Sequence, residues 1–258
     1  MKFQQIRSAT AIIEYAGTRF LIDPMLAPKG SFPGFPGTVN SHLANPLVEL
    51  PLLLDKILDV DAAIVTHTHA DHWDETAKGL LPKDLPILVQ NEADADEIRQ
   101  AGFSNVRPLG RVGHFRGIRL VKTDGQHGSD KAMAELGDVL GHVCGLVFMH
   151  PDEKTLYLAG DTVWNHHVRE AIAAHNPEII IVNSGDAQVI GLGSIIMSKH
   201  DVLEVHKASP DAVIIATHME AVNHATLSRK ELKAFLTKHG AVDHVLIPED
   251  GEIVQVSK

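Results

Sequence analysis

A short apolar strand that runs into a cluster of histidines is the feature that most constrains this chain. Ala62–Val65 is typical of a buried strand, and Thr66–His72 follows it directly. This second stretch supplies four candidate metal ligands within six residues: His67, His69, Asp71 and His72. The fold must therefore bury the strand and leave its carboxyl end open to a polar cleft.

The spacing of these four residues predicts how they could be shared between ions. Alternate residues of an extended segment project to one side, so His67 and His69 can bind one ion. If a helix begins near Asp71, the turn can direct Asp71 and His72 at a second ion. Imidazoles with a carboxylate suit Zn²⁺, Mn²⁺ or Fe²⁺. The alternative is a polar loop with surface histidines, but three histidines and an aspartate at this spacing favour a metal site.

Composition and charge exclude several classes of protein. The chain has 17 histidines against two tryptophans and two tyrosines, and a single cysteine, Cys144, so it contains no internal disulfide. A net charge of −10 disfavours binding to long nucleic acid or to anionic membranes. Phe3–Arg7 carries no targeting signal, and no apolar run is long enough to cross a membrane. These features predict a cytoplasmic protein with a small-molecule substrate.

The pattern of apolar runs predicts an α/β protein with mixed sheets, forming one domain over residues 1–258. The predicted strands are Ala11–Glu14, Arg19–Ile22, Ala62–Val65, Ile87–Val89, Ile118–Lys122, Thr155–Leu158, Glu178–Val182, Ala212–Ala216 and His244–Ile247. The predicted helices are Glu92–Ala101, Val168–Ala174, Val202–Lys207 and Arg229–His239.

The His-x-His-x-Asp-His string after an apolar strand resembles that of the metallo-β-lactamase-fold hydrolases. Further motifs of that superfamily follow in order at predicted strand ends. They are Asp23 in Phe20–Pro24, His127 in Thr123–Gly128, Asp161 in Tyr157–Thr162 and His218 in Ile214–Glu220. The motifs span most of the chain and together are specific. The resemblance implies a four-layer αββα sandwich.

The resemblance also implies a ligand set for two divalent transition-metal ions, with zinc or manganese expected and iron or nickel as alternatives. One ion would take His67, His69 and His127, and the other Asp71, His72 and His218, with Asp161 bridging both. Metal-activated water would then attack the substrate, with Asp71 and Asp161 as the catalytic carboxylates. The protein group that protonates the leaving group stays open.

Finer similarity points to the ascorbate-6-phosphate-lactonase-like branch. It rests on Asp23-Pro24, Thr217–Glu220, Asn223-His224 and Pro248–Glu252, whereas Arg7–Ala9 stands where some relatives carry a histidine. That branch implies a small anionic ester, a lactone or a phosphorylated sugar derivative as substrate. The alternatives are a phosphodiesterase or nuclease of the same fold, and a metal-binding regulatory protein without turnover.

Several other residues are candidates for supporting the ligands or touching substrate. Strand ends and loops place Asp23, Asn183, His200 and His224 in this group. Residues 24–51 form a loop with six of the 13 prolines, and Phe32 and Phe35 lie within it. A loop of this length predicts either a lid over the cleft or a contact between subunits of a homo-oligomer.

Overall fold

The computed structural model describes residues 1–257, and two seven-stranded sheets form its framework. The strands of the first sheet are β1 (Lys2–Arg7), β2 (Thr10–Tyr15), β3 (Thr18–Ile22), β4 (Ala62–Val65), β5 (Ile87–Val89), β6 (Val106–Pro108) and β16 (Ile253–Gln255). Their order across the sheet is β16-β1-β2-β3-β4-β5-β6, and the pairs from β3 to β6 are parallel. The sheet is therefore mixed, as the sequence predicts.

The second sheet continues the same pattern. Its strands are β7 (Val112–Phe115), β8 (Ile118–Asp124), β9 (Cys144–Met149), β10 (Leu156–Leu158), β11 (Ile179–Asn183), β14 (Val213–Thr217) and β15 (Val245–Leu246). Their order is β15-β14-β11-β10-β9-β8-β7. A separate small hairpin consists of β12 (Gln188–Val189) and β13 (Gly193–Ser194).

Seven α-helices and one 3-10 turn connect these strands within the described residues. They are α1 (Leu54–Leu58), α2 (Glu75–Leu80), α3 (Glu92–Gln100), α4 (Asp130–Leu140), α5 (His166–His175), α6 (Lys199–Ala208), α7 (Arg229–Lys238) and the 3-10 turn Val242–His244. Side chains cap most of them: both α6 and α7 begin with a capping box, at Ser198 and Ser228.

Three apolar clusters show the order of the layers. The central cluster packs the inner faces of the two sheets against each other, with Phe20 of β3 and Phe148 of β9 in edge-to-face contact at 5.7 Å. A second cluster lies between the second sheet and α5, α6 and α7, and a third lies between the first sheet and α1, α2 and α3. This αββα arrangement confirms the predicted fold class.

The carboxyl ends of the central strands meet at one edge of the sandwich, where the predicted ligands follow them. Asp23 comes directly after β3, His67 follows β4, and His218 comes directly after β14. The polar cleft therefore opens at the edge that the strand order requires.

No helix of the described residues is long and apolar enough to cross a membrane.

Candidate metal centre

All seven predicted ligands converge at this edge, in three overlapping groups. In each group, the candidate ligand atoms lie within 4.8 Å of one another. The groups are His67, His69 and His127; His67, His72 and Asp161; and Asp71, His72 and His218. Six of the seven side chains are buried and only His69 is half-buried. Two of these groups contain the residues that the resemblance implies for the two ions, and the binding of two ions stays a prediction.

In the three-histidine group, hydrogen bonds set which ring nitrogens are free. His69 Nε2 donates to the Val139 carbonyl at 3.0 Å, and His127 Nδ1 donates to the Ile195 carbonyl at 2.8 Å. The other ring nitrogens of His69 and His127 thereby face the cluster, where His69 Nδ1 lies 3.0 Å from His67 Nε2. Burial lowers the pKa of His67 well below its usual value and that of His127 to about 4. These are neutral imidazoles, the form that binds a metal ion.

The second group pairs imidazoles with carboxylates. His218 Nε2 lies 3.4 Å from Asp71 Oδ2 and 3.1 Å from His72 Nε2. Burial opposes protonation of His72, but Asp161, Asp23 and Asp71 outweigh it and raise its pKa. Burial would raise the pKa of Asp71, yet the nearby His72 and His218 hold it well below its usual value. The carboxylate of Asp71 is therefore ionised.

Asp161 lies between the two groups. Its Oδ2 is 3.1 Å from His72 Nε2, 3.6 Å from His127 Nε2 and 3.7 Å from His218 Nε2. Its other oxygen accepts a 2.6 Å hydrogen bond from Asn183 Nδ2, which fixes the carboxylate. Burial opposes ionisation of Asp161, but His72 and His218 outweigh this effect and lower its pKa. One oxygen of Asp161 therefore lies within 3.7 Å of ring nitrogens from both groups, and its bridging role stays a prediction.

The donor set fits the predicted ions. Five imidazoles and two carboxylates meet in a buried space, with ring nitrogens as close as 3.0 Å to each other. Such close nitrogen donors with ionised carboxylates are the ligands that Zn²⁺, Mn²⁺ and Fe²⁺ prefer.

Asp23 supports the cluster from outside. Its Oδ1 accepts from the Thr66 backbone N–H at 2.7 Å, and its Oδ2 accepts from Thr66 Oγ1 at 2.8 Å. The Thr66 hydroxyl also lies 3.2 Å from His67 Nδ1, while Asp23 Oδ2 is 3.0 Å from His72 Nδ1 without the alignment of a hydrogen bond. Asp23 thus orients the segment that carries the first ligands, in keeping with its predicted supporting position.

Ser8 is a site residue that the sequence did not reveal. It lies in the turn between β1 and β2 with a φ of 54°, and its Oγ is 3.2 Å from His218 Nδ1. Its carbonyl accepts from the His218 backbone N–H and from Thr217 Oγ1. A serine in a short turn carries no motif, so only the tertiary structure places it beside the ligand.

A cavity of about 420 Å³ lies over the cluster, and its walls are mostly apolar. Its lining comprises Phe35, Pro36, Gly37, Thr38, His69, Ala70, Asp71, His127, Leu136, Val139, Leu140, Asp161, Val189, Ile195 and His224. No lysine or arginine belongs to this lining. We call this cavity the chamber.

His224 lines the chamber, as the sequence predicts for a substrate-contacting residue. Burial lowers its pKa to about 4, and its Nδ1 has no hydrogen-bond partner among the described residues. The edge of its ring packs on Phe35 with centroids 4.9 Å apart. It therefore offers a neutral imidazole beside the predicted ligands.

For His200, in contrast, the predicted position is wrong. The sequence predicts a loop reaching the cleft, whereas the structure places His200 in the first turn of α6. The helix begins earlier than predicted because Ser198 and Asp201 form a capping box. The exposed ring of His200 packs on Phe235, 4.8 Å away, and does not line the chamber.

The 24–51 loop contributes Phe35–Thr38 to the lining of the chamber and is held in place by two buried side chains. Arg7 donates to the carbonyls of Met25, Ala27 and Val48. Asn223 Oδ1 accepts from the Phe35 backbone N–H and from Asn45 Nδ2. Asn223 Nδ2 donates to Thr38 Oγ1 and to the Val39 carbonyl. These contacts explain the predicted Asn223-His224 signature: Asn223 fixes the loop, and His224 faces the chamber.

Comparison with known proteins agrees with the fold. A family model described as a beta-lactamase superfamily domain matches residues 18–219. The UPF0173 protein YddR of Bacillus subtilis is 56% identical over 253 residues, which is 98% of each chain. Neither finding names a substrate.

Two solved structures resemble the whole chain. An isothiocyanate hydrolase from Delia radicum gut bacteria is 50% identical, with a TM-score of 0.97 and full coverage of both chains. A possible metal-dependent hydrolase from Veillonella parvula is 44% identical, with a TM-score of 0.97 and 99% coverage of both. The ascorbate-6-phosphate-lactonase-like branch stays a prediction.

Proposed function

The chain belongs to the β-lactamase superfamily as a metal-dependent hydrolase, and we propose that it hydrolyses a small, uncharged electrophile with an apolar substituent. The observation that carries this proposal is the chamber, in which apolar walls without lysine or arginine cover the ligand cluster. An anionic group held away from the ligand cluster would lose its hydration there without gaining a cationic side chain as a partner. The sequence-based expectation of a phosphorylated or anionic substrate is therefore not what the lining favours.

The two ligand groups would each hold one divalent ion. His67, His69 and His127 would hold one, and Asp71, His72 and His218 the other, with Asp161 between them. Bound ions of this kind lower the pKa of water from 15.7 to roughly 7 and stabilise negative charge on the attacked group.

The side chains of the protein supply orientation and exclude water. The ionised Asp71 can accept a hydrogen bond from the attacking water and so orient it. The neutral His224 can donate to or accept from a polar atom of the substrate through a ring nitrogen. Phe35, Leu140 and Val189 line the apolar part of the chamber, where a hydrocarbon group would displace water.

The substrate class has a concrete candidate. The solved relative named an isothiocyanate hydrolase acts on a group that is uncharged and electrophilic at carbon. Addition of water to R–N=C=S gives R–NH–C(=O)–SH, which separates into the amine R–NH₂ and carbonyl sulfide. Isothiocyanates with an apolar R group match the chamber in charge and polarity.

A substrate panel tests this proposal. We expect metal-loaded protein to hydrolyse benzyl isothiocyanate with a kcat/KM on the order of 100-fold above that for a sugar-phosphate lactone or bis(p-nitrophenyl) phosphate, because the apolar lining favours a hydrocarbon substituent and offers no cationic side chain to a charged one. A neutral aromatic lactone is the matched control for the electrophile. Preference for either anionic substrate would contradict the proposal and favour the lactonase or phosphodiesterase alternative.

The structure separates the roles of the two loop phenylalanines. Phe35 lines the chamber, whereas Phe32 lines a neighbouring cavity beside Trp73 and Asp74. Phe35→Ala should raise KM for benzyl isothiocyanate about tenfold through lost apolar contact, with metal content unchanged. Phe32→Ala is the matched control and should leave KM within about twofold. If Phe35→Ala changes only the mass in solution, the loop is a subunit contact and not a lid.

A further inference from the structure

One wall of the chamber is an apolar cluster that stands apart from the three layered cores. It consists of Ala132 and Leu140 of α4 with Ala187, Val189, Ile195 and Ile196 of the hairpin region, and Met133, Leu136 and Leu192 pack against it. We call this set the wall cluster. Four of its members, Leu136, Leu140, Val189 and Ile195, line the chamber.

The same wall holds two of the predicted ligands through backbone carbonyls. The carbonyl of Val139, beside Leu140, accepts from His69, and the carbonyl of Ile195 accepts from His127. Val139 and Ile195 also line the chamber. Each of these two residues therefore borders the chamber and contacts a predicted ligand through its backbone carbonyl.

The other ligand group is anchored differently. His218 is held by Ser8, in the turn that joins β1 to β2, and Asp161 is held by Asn183, at the end of β11. His72 lies beside Asp23, which follows β3. These anchors belong to the ends of the two sheets, so their positions depend on the main cores and not on the wall cluster.

Three observations indicate that the position of α4 beside the chamber depends on the packing of the wall cluster. The backbone of α4 departs from helical geometry at Leu136, with φ −127° and ψ 16°, just before the turn that carries Val139. The Val139 side chain is 69% exposed. At the other end of α4, a Cβ on Gly128 would lie 3.0 Å from Ala132 Cβ and 3.3 Å from Ile195 Cγ2, so the start of the helix and Ile195 are in close contact.

We propose that the wall cluster positions His69 and His127, so that an apolar ligand in the chamber and an ion at the three-histidine group strengthen each other's binding. The ion at the Asp71, His72 and His218 group is outside this coupling. The inference rests on the proposed function in requiring bound ions. A ligand that packs on Leu140, Val189 and Ile195 fixes the carbonyls that orient the two imidazoles, and the reverse follows by linkage.

Competition with a chelator on the zinc-loaded wild-type protein tests the coupling without any variant. Ethylbenzene serves as the apolar probe because it has no group that binds metal or reacts with water. We expect saturating ethylbenzene to raise the chelator concentration that removes one of two zinc ions by about 5-fold or more, and to leave the other ion unchanged. Binding of ethylbenzene, followed by ligand-observed NMR, should tighten by the same factor when zinc is present.

Two variants of chamber residues distinguish the role of the wall cluster from that of the 24–51 loop. Leu140→Ala weakens both the chamber and the wall cluster, and should weaken zinc binding at one site about tenfold. Phe35→Ala weakens the chamber alone, since Phe35 belongs to a separate apolar cluster with Met25 and Val222, and should leave zinc binding unchanged. Circular dichroism checks that each variant folds. If Leu140→Ala does not fold, the chelator competition on the wild-type protein tests the coupling by itself.

The outcomes distinguish this inference from the proposed function. If the protein retains no zinc, the proposed function and the inference both fail. If two zinc ions bind and ethylbenzene binds with no change in either chelator midpoint, the coupling is wrong and the proposed function stands. If ethylbenzene does not bind at all, the apolar chamber is not a ligand site, and the coupling is likewise wrong.

Discussion

Asp161→Ala is expected to lower turnover on the order of a thousandfold and to reduce the content of both ions. One oxygen of Asp161 lies within 3.7 Å of ring nitrogens in both ligand groups, and Asn183 fixes the other oxygen. Removal of the carboxylate therefore takes a ligand atom and a negative charge from the centre of the cluster at once. Steady-state kinetics and elemental analysis of the purified variant measure both effects.

Asn165→Ala is the matched control for that substitution. An aspartate before Thr162 could have served as a helix cap, but α5 is capped by Asn165, whose side chain accepts from the Val168 N–H. Loss of this cap should cost about 1 kcal/mol of unfolding free energy and leave turnover unchanged. Turnover of Asp161→Ala within tenfold of wild type would contradict the bridging role.

Arg229→Ala is expected to cause the largest loss of stability among the substitutions considered, about 3 kcal/mol. The guanidinium forms ion pairs with Glu220 and Asp250 and donates to the Pro248 carbonyl, and its side chain is only 9% exposed. Without Arg229, the buried part of Asp250 loses its cationic partner, while the more exposed Glu220 contributes less. The melting temperature should fall by about 6 to 12 °C.

Lys230→Ala is the control, because Lys230 is the exposed neighbour of Arg229 on the same helix. Its melting temperature should stay within about 2 °C of wild type. An equal shift in both variants would show that the Arg229 ion pairs contribute nothing specific. The network also explains why Glu220 and Pro248–Glu252 stood out in the sequence, since it joins the turn after His218 to the C-terminal segment.

The sequence predicts most, but not all, of the buried apolar strands, since β9 is apolar along its length and was not predicted. Ala62–Val65 and Ile87–Val89 are uniformly apolar and were predicted with their observed bounds. β1 was missed because Gln5 and Arg7 are polar and yet buried. Their partners are Thr217 and the carbonyls of the 24–51 loop, which are distant in sequence and become neighbours only in the fold.

Helix α4 was missed for a local reason. Gly137 interrupts its helical pattern, and the backbone is irregular at Leu136. The helix nevertheless forms because Ala132 and Leu140 pack against the hairpin region in the wall cluster. Tertiary packing here outweighs local propensity.

His67, His69, Asp71 and His72 were predictable as candidate ligands from their spacing after a strand, and His127, Asp161 and His218 were predictable from the resemblance to the motifs of the superfamily. The contacts that orient them were not. The Val139 and Ile195 carbonyls are backbone groups, which every residue carries, so no residue type marks them. The absence of cations from the chamber lining likewise depends on which loops and helices meet there, and only the structure shows this.

We expect the seven converging side chains to hold two ions that serve hydrolysis. The most direct test of this expectation is elemental analysis of the purified chain after loading with Zn²⁺ or Mn²⁺ and removal of free metal, with protein concentration measured on the same sample. About two divalent ions per chain should be found, and they should be lost together with hydrolase activity on treatment with a chelator and regained together on reloading. A chain that retains only trace metal, or that hydrolyses its substrate at full rate without metal, would rule out this metal centre.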